Sequence, residues 1–233
     1  MNPLILGTLN EDDAGMLLLS RLESLEEKPF EEVGMATLNA GCIRHHKQHR
    51  PSPKSFTLLT KLLREKELEN QLLIGPMGIA YARCSKAPED EATPYGVELC
   101  ANQELALVYY GLLDNPAEVR DSLLELGYPY LKTDGELIHN LINHYLTIED
   151  IAPIDAITLA LARLNGYFAI MVLSAEPDLL IVARKGCPLA FSLHDDAYYL
   201  SSEPEVLTRF SKKVIQLEEG TPAVLLCTGQ IEM

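Results

Sequence analysis

Cysteine and histidine are the side chains in this sequence best suited to attack a carbonyl carbon or to bind a metal. Five cysteines are present, widely spaced and without a C-x-x-C pair, so neither a disulfide framework nor a zinc site is predicted. Cys84 directly follows Arg83, and a neighbouring cation lowers the pKa of a thiol and increases its reactivity. The alternative, which is commoner for an isolated cysteine, is a small buried side chain without a chemical role.

Histidines concentrate in the basic run at residues 44–50. His45 and His49 have the i, i+4 spacing that would let them share a metal ion on a helix. The positive side chains around them repel a cation, and Pro51 breaks a helix. We therefore expect a solvated basic loop at this place and no metal site.

The overall composition is that of an ordinary globular protein, and it narrows the classes of partner. The chain has 233 residues, of which 47% are hydrophobic and 23% charged, which is enough for a self-sufficient core. Its formal net charge of −15 is spread along the sequence, which argues against nucleic acid or an anionic membrane as a partner. No signal peptide is visible, and no stretch approaches the ~20 apolar residues of a membrane helix. These features and the unpaired cysteines predict a cytoplasmic protein.

The first part of the chain is predicted to contain short strands and two helices. The apolar run at 3–9 is typical of a buried strand, and 16–25 carries leucines at helical spacing. Strands are also predicted at 34–38 and 42–45, joined by a turn. The other elements predicted here are a polar loop at 49–54, a helix over about 58–69, a strand at 78–83 and a charged loop at 86–94.

The middle of the chain is predicted to be mainly helical, and the last third to consist of strands. The apolar run at 105–110 predicts a central strand that ends at Gly111. Helices are predicted at 116–126, 136–145, 154–164 and 204–209, and strands at 167–173, 179–184, 189–193, 197–200, 214–217 and 223–227. This order favours an α+β fold in which antiparallel sheets pack between helices. One domain over residues 1–233 is the simplest organisation, because no linker or repeat is visible.

A series of short motifs follows a fixed order along the chain. They are GIAYAR at 78–83, TDGE at 133–136, LNGYFA at 164–169, ARKGCPL at 183–189, LSSE at 200–203 and LEEG at 217–220. This order resembles the class II glutamine amidotransferases, and most of all the glutaminase domain of glutamine:fructose-6-phosphate aminotransferase. The resemblance implies a four-layer α/β/β/α sandwich of the N-terminal nucleophile hydrolase type, and no cofactor.

The resemblance also implies a glutamine site built from three residues of this chain. Arg83 matches the arginine that holds the substrate α-carboxylate. Asp134 matches the aspartate of a Thr-Asp-Thr-Glu motif that holds the α-ammonium group. Gly111 matches the glycine whose N–H helps to hold the oxyanion. In the family a cysteine at the start of the mature chain attacks the amide carbon, and its own α-amino group is the general base.

The sequence departs from the family at the positions that carry the chemistry. Asn2 stands at the position of the nucleophilic cysteine, and an asparagine amide is not a nucleophile at neutral pH. Tyr110 stands at the position of the asparagine that completes the oxyanion hole, and its large apolar ring is expected to fill that pocket. No catalytic residue is therefore assigned.

For glutaminase activity, a cysteine at another position of the chain would have to act as the nucleophile. Cys84 is one candidate, and Cys42 is another if a pro-segment is cleaved, although the sequence at 42–45 does not match the family's opening. Cys187 lies in a Gly-Cys-Pro turn and is expected to be structural. These alternatives leave three hypotheses for the function of the chain.

The leading hypothesis is a degenerate amidotransferase domain without glutaminase activity. Such a domain would bind glutamine, glutamate or a related amino acid, or would act as a scaffold for a protein partner or a second copy of itself. The alternative is an active glutaminase domain that supplies ammonia for glucosamine-6-phosphate synthesis. The third hypothesis is a purely structural domain without a ligand.

Overall fold

The computed structural model describes residues 3–10, 13–25, 30–49, 73–84, 95–148, 151–194, 197–209, 211–225 and 231–232. The strands are β1 (Leu4–Leu9), β2 (Phe30–Asn39), β3 (Cys42–His49), β4 (Met77–Cys84), β5 (Gly96–Ala101), β6 (Leu105–Leu113), β7 (Gly166–Ala175), β8 (Asp178–Lys185), β9 (Ala190–His194), β10 (Ala197–Ser201), β11 (Ile215–Gln216), β12 (Ala223–Leu225) and β13 (Ile231–Glu232). The helices are α1 (Ala14–Glu23), α2 (Pro116–Glu125), α3 (Asp134–Ile148), α4 (Pro153–Arg163) and α5 (Pro204–Thr208).

Two antiparallel sheets form the centre of the molecule. The first has seven strands in the order β11-β9-β10-β1-β4-β2-β3, and the second has six in the order β13-β12-β8-β7-β6-β5. Strand β1 pairs with β4 and β10, and β6 pairs with β5 and β7, in antiparallel register. The first sheet therefore joins the beginning of the chain to its last third.

A continuous hydrophobic core separates the two sheets. Ile5 of β1, Ile79 of β4, Val108 of β6 and Met171 of β7 all belong to this core and are fully buried. Side chains alternate between the faces of a strand, so the intervening residues point away from it and toward the helices. Both faces are buried, and this explains why the central strands are apolar almost throughout.

Helices cover the outer faces of both sheets and complete an α/β/β/α sandwich. Helix α1 packs on the first sheet through Leu18, Leu19 and Leu22. Helices α2, α3 and α4 cover the second sheet, and Leu141 and Ile157 belong to the core they form with it. The α+β fold class expected from the sequence is confirmed. None of the helices in the described ranges is long and apolar enough to span a bilayer.

Several boundaries differ from the sequence predictions for identifiable reasons. Strand β3 continues to His49, so the solvated loop predicted for the basic run at 44–50 is wrong for residues 44–49. In this edge strand alternate polar side chains, those of His45, Lys47 and His49, are exposed, and such a strand does not need apolar residues on that face. Strand β2 begins four residues before the predicted start, at Phe30, because Phe30 and Glu32 pair with β4 although Glu31 and Glu32 interrupt the apolar pattern.

Strand β5 is absent from the sequence predictions, although Val97 and Leu99 alternate with polar residues in the period of a strand. Helix α3 begins at Asp134, two residues before the predicted start. The helix predicted at 58–69 and the loop predicted at 86–94 lie outside the described residues.

Candidate functional site

Each of the three residues assigned to substrate binding lies at or near the end of a strand or helix. Arg83 is next to last in β4, Gly111 lies close to the end of β6, and Asp134 begins α3. Asp134 is attached to β6, because its Oδ2 accepts a hydrogen bond from the backbone N–H of Leu113 at 2.9 Å. Gly111 and Asp134 therefore belong to the second sheet and its helix, and Arg83 belongs to the first sheet.

Arg83 forms ion pairs with two glutamates of the neighbouring strand. Its Nη2 donates a hydrogen bond to Oε2 of Glu32 at 3.0 Å, and its Nε lies 3.5 Å from Oε2 of Glu31. The Glu32 side chain is 17% exposed and that of Glu31 is 46% exposed. Glu32 is thus the closer and less solvated partner, and the contact with Glu31 is largely screened by water.

A β-bulge in β2 brings both carboxylates to the same guanidinium. Phe30 pairs with Cys84 and Glu32 pairs with Arg83, so Glu31 is an extra residue on this strand. Consecutive side chains of a regular strand point to opposite faces, whereas a bulge sets two residues opposite one. The bulge also directs Phe30 into the core beneath α1.

The carboxylate of Glu32 has two further partners. The Tyr81 hydroxyl donates a hydrogen bond to Oε1, and Nδ1 of His49 lies 2.8 Å from Oε2. Burial, followed by the hydrogen bond to Glu32, raises the pKa of Tyr81 far above its ordinary value, so its hydroxyl stays protonated and is a donor. Arg83 and His49 are both register partners of Glu32, so guanidinium, carboxylate and imidazole form a row across three strands.

Asp134 accepts a second hydrogen bond, from the Tyr109 hydroxyl at 3.0 Å to the same Oδ2. Tyr109 is fully buried, and burial followed by the charge of Asp134 strongly raises its pKa, so it remains a neutral donor. The carboxylate also lies in the first turn of α3, where the helix dipole favours a negative charge. The two hydrogen bonds therefore hold the start of α3 against β6, and this structural role of Asp134 is independent of ligand binding.

Glu98 of β5 caps the same helix end. Its Oε1 accepts a hydrogen bond from the Gly135 N–H at 2.8 Å, and its Oε2 accepts one from the Thr133 hydroxyl at 2.9 Å. A Cβ at position 135 would lie 2.5 Å from Glu98 Oε1, so the carboxylate takes up the space of a side chain there. Burial raises the pKa of Glu98, and its charge contributes to raising that of Tyr81. Glu98 therefore links the start of α3 electrostatically to the Arg83 side of the site.

Tyr110 lies in the core between the two sheets. It is 5% exposed, and its ring centroid is 5.7 Å from that of Tyr95. Burial raises the pKa of Tyr110 to about 12, so the phenol is neutral at physiological pH. The side chain at the position that the resemblance assigns to the oxyanion asparagine is thus packed chiefly as a hydrophobic residue.

The backbone geometry at position 111 requires glycine. Its φ is 147°, a value that residues with a side chain rarely adopt. A Cβ at this position would lie 2.2 Å from the carbonyl oxygen of Tyr167 and 2.6 Å from the Cα of Phe168. Glycine at this position therefore has a packing cause that is independent of any oxyanion.

Cys187 and Cys100 are poor nucleophiles in this structure. Burial raises the pKa of Cys187 to about 11 and that of Cys100 to about 12. Such thiols are almost fully protonated at neutral pH, and the thiolate is the reactive form. The side chain of Cys84 and the residues Asn2 and Cys227 lie outside the part of the chain that the structure describes.

The described residues include no group of three or more His, Cys, Asp or Glu side chains arranged to hold a metal ion. His45 and His49 share the exposed face of β3, and His49 contacts Glu32. Burial, followed by the charge of Lys47, lowers the pKa of His45. The basic run therefore lies beside the site as part of a strand, and one of its histidines takes part in the ion-pair row.

The sequence predictions miss four residues near this site: Glu32, Tyr81, Glu98 and Tyr109. A glutamate pair before an apolar strand was the available signal for Glu32, but only the bulge directs it to Arg83. Glu98 had no signal of its own, because strand β5 was not expected.

Comparison with solved structures defines the class of fold. The glutamine phosphoribosylpyrophosphate amidotransferase of B. subtilis superposes with a TM-score of 0.73 at 22% identity, over 98% of this chain and 48% of that one. A Pseudomonas aeruginosa protein described as a predicted glutamine amidotransferase superposes with a TM-score of 0.54 at 11% identity, over 97% and 98% of the two chains. At these identities the likeness shows the fold, which is that of the N-terminal nucleophile amidotransferases.

Sequence comparison gives the family. The family model described as "Glutamine amidotransferase domain" matches residues 89–209, just over half of the chain. The glutamine--fructose-6-phosphate aminotransferases of Bradyrhizobium diazoefficiens and Synechocystis sp. are each 33% identical, over 95% and 97% of this chain. The chain belongs to the glutamine amidotransferase family, and it spans 35% of the length of each of these two relatives.

Proposed function

We propose that this domain has kept the amidotransferase fold without glutaminase activity and functions through binding or assembly. The observation that carries the proposal is Asn2, a carboxamide at the position that the resemblance assigns to the nucleophilic cysteine. The burial of Tyr110 and the raised pKa of Cys187 support it. Loss of the nucleophile of a covalent enzyme removes on the order of 10⁴–10⁶ of its rate.

Arg83, Gly111 and Asp134 are the residues that we assign to ligand binding. A guanidinium and a carboxylate complement the two charges of glutamine, glutamate or a related amino acid. A protein partner or a second copy of the chain is the other class of partner that we propose. We also propose a cytoplasmic location and a single domain over residues 1–233.

An active glutaminase is the second candidate. The identity of 33% with two aminotransferases favours it, because both are named for the transfer of an amino group from glutamine. Because residue 2 is asparagine, a cysteine elsewhere in the chain would then attack the amide, and Cys84 beside Arg83 is the candidate in the sequence. In that case the domain would supply ammonia for glucosamine-6-phosphate synthesis.

Release of ammonia from glutamine separates the two candidates. We expect no turnover above the protein-free rate, and no covalent labelling by a glutamine-like electrophile. The matched variants are Cys84→Ser and Cys42→Ser, of which the second changes an exposed cysteine. Turnover above the protein-free rate would refute the first candidate, and its loss in Cys84→Ser or in Cys42→Ser would identify which of the two thiols is the nucleophile of the second.

A further inference from the structure

We infer that Glu32 sets the ligand specificity of this site, because its carboxylate forms the ion pair with the Arg83 guanidinium that a ligand carboxylate would otherwise form. The inference rests on the proposed function, which gives Arg83 a role in binding. It adds that the unmodified chain discriminates against ligands with a free carboxylate and that one residue is responsible.

The position of Glu32 is fixed by three groups from two neighbouring strands. Tyr81 and Arg83 of β4 donate hydrogen bonds to its two oxygens, and His49 of β3 lies within ion-pair distance. Tyr81 has a strongly raised pKa and is fully buried, so it is a fixed neutral donor. Because these contacts already order the carboxylate, its pairing with the guanidinium costs little further conformational entropy.

A tethered carboxylate competes effectively with a free one. Groups joined by a short connection meet at an effective concentration in the millimolar range or above, and here the register of β2 and β4 fixes their separation. A free amino acid must displace Glu32 before its own carboxylate can bind the guanidinium. The displaced Glu32 would also leave the buried Tyr81 hydroxyl without this acceptor.

The guanidinium nevertheless remains accessible and incompletely bonded. The Arg83 side chain is 38% exposed, and Glu32 engages its Nη2, which loss of Glu32 would free. The Nε is buried, lies 3.5 Å from Glu31 and has no hydrogen-bond partner among the described residues. A ligand carboxylate would therefore find free donor capacity if Glu32 were removed. Partial exposure screens the pair with Glu32, so we place its effect on carboxylate affinity at about tenfold, the low end for charge-assisted hydrogen bonds.

Titration of glutamate into the wild-type chain and into Glu32→Ala tests the inference. We expect Glu32→Ala to bind glutamate about tenfold or more tightly. Glutamine α-amide, which lacks the carboxylate, should bind both proteins equally within twofold. The matched control is Glu31→Ala, which removes the neighbouring, looser carboxylate and should leave glutamate affinity within twofold of wild type. The double variant Glu32→Ala/Arg83→Ala should lose the gain.

Equal glutamate affinity of the folded wild-type and Glu32→Ala proteins overturns the inference, and so does an absence of binding to both. Should Glu32→Ala fail to fold by circular dichroism, Glu32→Gln replaces it, because the amide keeps an acceptor for Tyr81 and removes the charge. Glutamate cannot be hydrolysed as glutamine is, so these affinities are independent of the glutaminase assay. Turnover of glutamine would therefore refute the proposed function without deciding this comparison.

Discussion

Replacement of Gly111 by alanine should strongly destabilise the fold, because the backbone and its surroundings both exclude a side chain. The φ of 147° belongs to a region where strain in residues with a side chain costs about 1–3 kcal/mol. The new Cβ would lie 2.2 Å from the Tyr167 carbonyl oxygen, and forcing an extra methyl into a packed interior costs about 1–3 kcal/mol. Together these costs amount to about 2–6 kcal/mol, out of about 5–15 kcal/mol for a typical protein.

Gly127→Ala is the matched control, because it isolates the conformational part of the cost. Gly127 also has a positive φ, 88°, but a Cβ there would meet nothing within 4 Å. We expect a loss of about 1–2 kcal/mol for this variant. The difference between the two variants therefore contains the collision with the backbone of β7 and any additional strain of an alanine at a φ of 147°.

Urea unfolding followed by circular dichroism and tyrosine fluorescence measures both variants, since the sequence contains 10 tyrosines and no tryptophan. In thermal unfolding, each kcal/mol corresponds to about 2–4 °C for a chain of this size. A Gly111→Ala protein no less stable than Gly127→Ala would refute the reasoning, since it would mean that β6 and β7 separate at this point at little cost.

Two further predictions concern titrating groups. Burial raises the pKa of Glu98, so the folded state holds this proton more tightly than the unfolded state, and stability is lost as pH rises from the ordinary value of 4.5 through the raised one. Glu98→Gln should remove that loss in urea unfolding from pH 4 to 8, and parallel pH profiles of the two proteins would contradict this. In the native protein at neutral pH, iodoacetamide should modify the exposed Cys42 much faster than Cys187 and Cys100, whose pKa values burial raises to about 11 and about 12. Peptide mass mapping measures the rates, and comparable alkylation of Cys187 would show that its surroundings open readily.

Secondary-structure elements could be predicted from the sequence where the hydrophobic pattern and the residues that begin or end an element indicate the same boundaries. The helix at Pro116–Glu125 has Pro116 in its first turn and Gly127 with positive φ just beyond its end, which are both expected signals. The pattern fails at the sheet edges, because edge strands need fewer apolar residues. Strand β3 was predicted too short for this reason, and β5 was not predicted.

The candidate site could be predicted from the sequence only through the resemblance to the amidotransferase family. Arg83 and Asp134 were assigned from their motifs, and their roles in ligand binding stay predictions. Their partners could not be predicted, since the Arg83–Glu32 pair depends on a one-residue register shift in β2. The bonds from Tyr109 and Leu113 to Asp134 likewise depend on how α3 meets the end of β6.

The Glu98 carboxylate and any side chain at position 135 would compete for the same space, so substitutions at these two positions are coupled. The family motif has threonine where this chain has Gly135, and any side chain there would lie against the carboxylate of Glu98. A threonine at position 135 would therefore require the Glu98 side chain to turn away from the Gly135 amide and to lose the 2.8 Å hydrogen bond. The effects of substitutions at positions 98 and 135 on stability are therefore expected to be non-additive, because loss of the Glu98 carboxylate would lower the cost of a side chain at position 135.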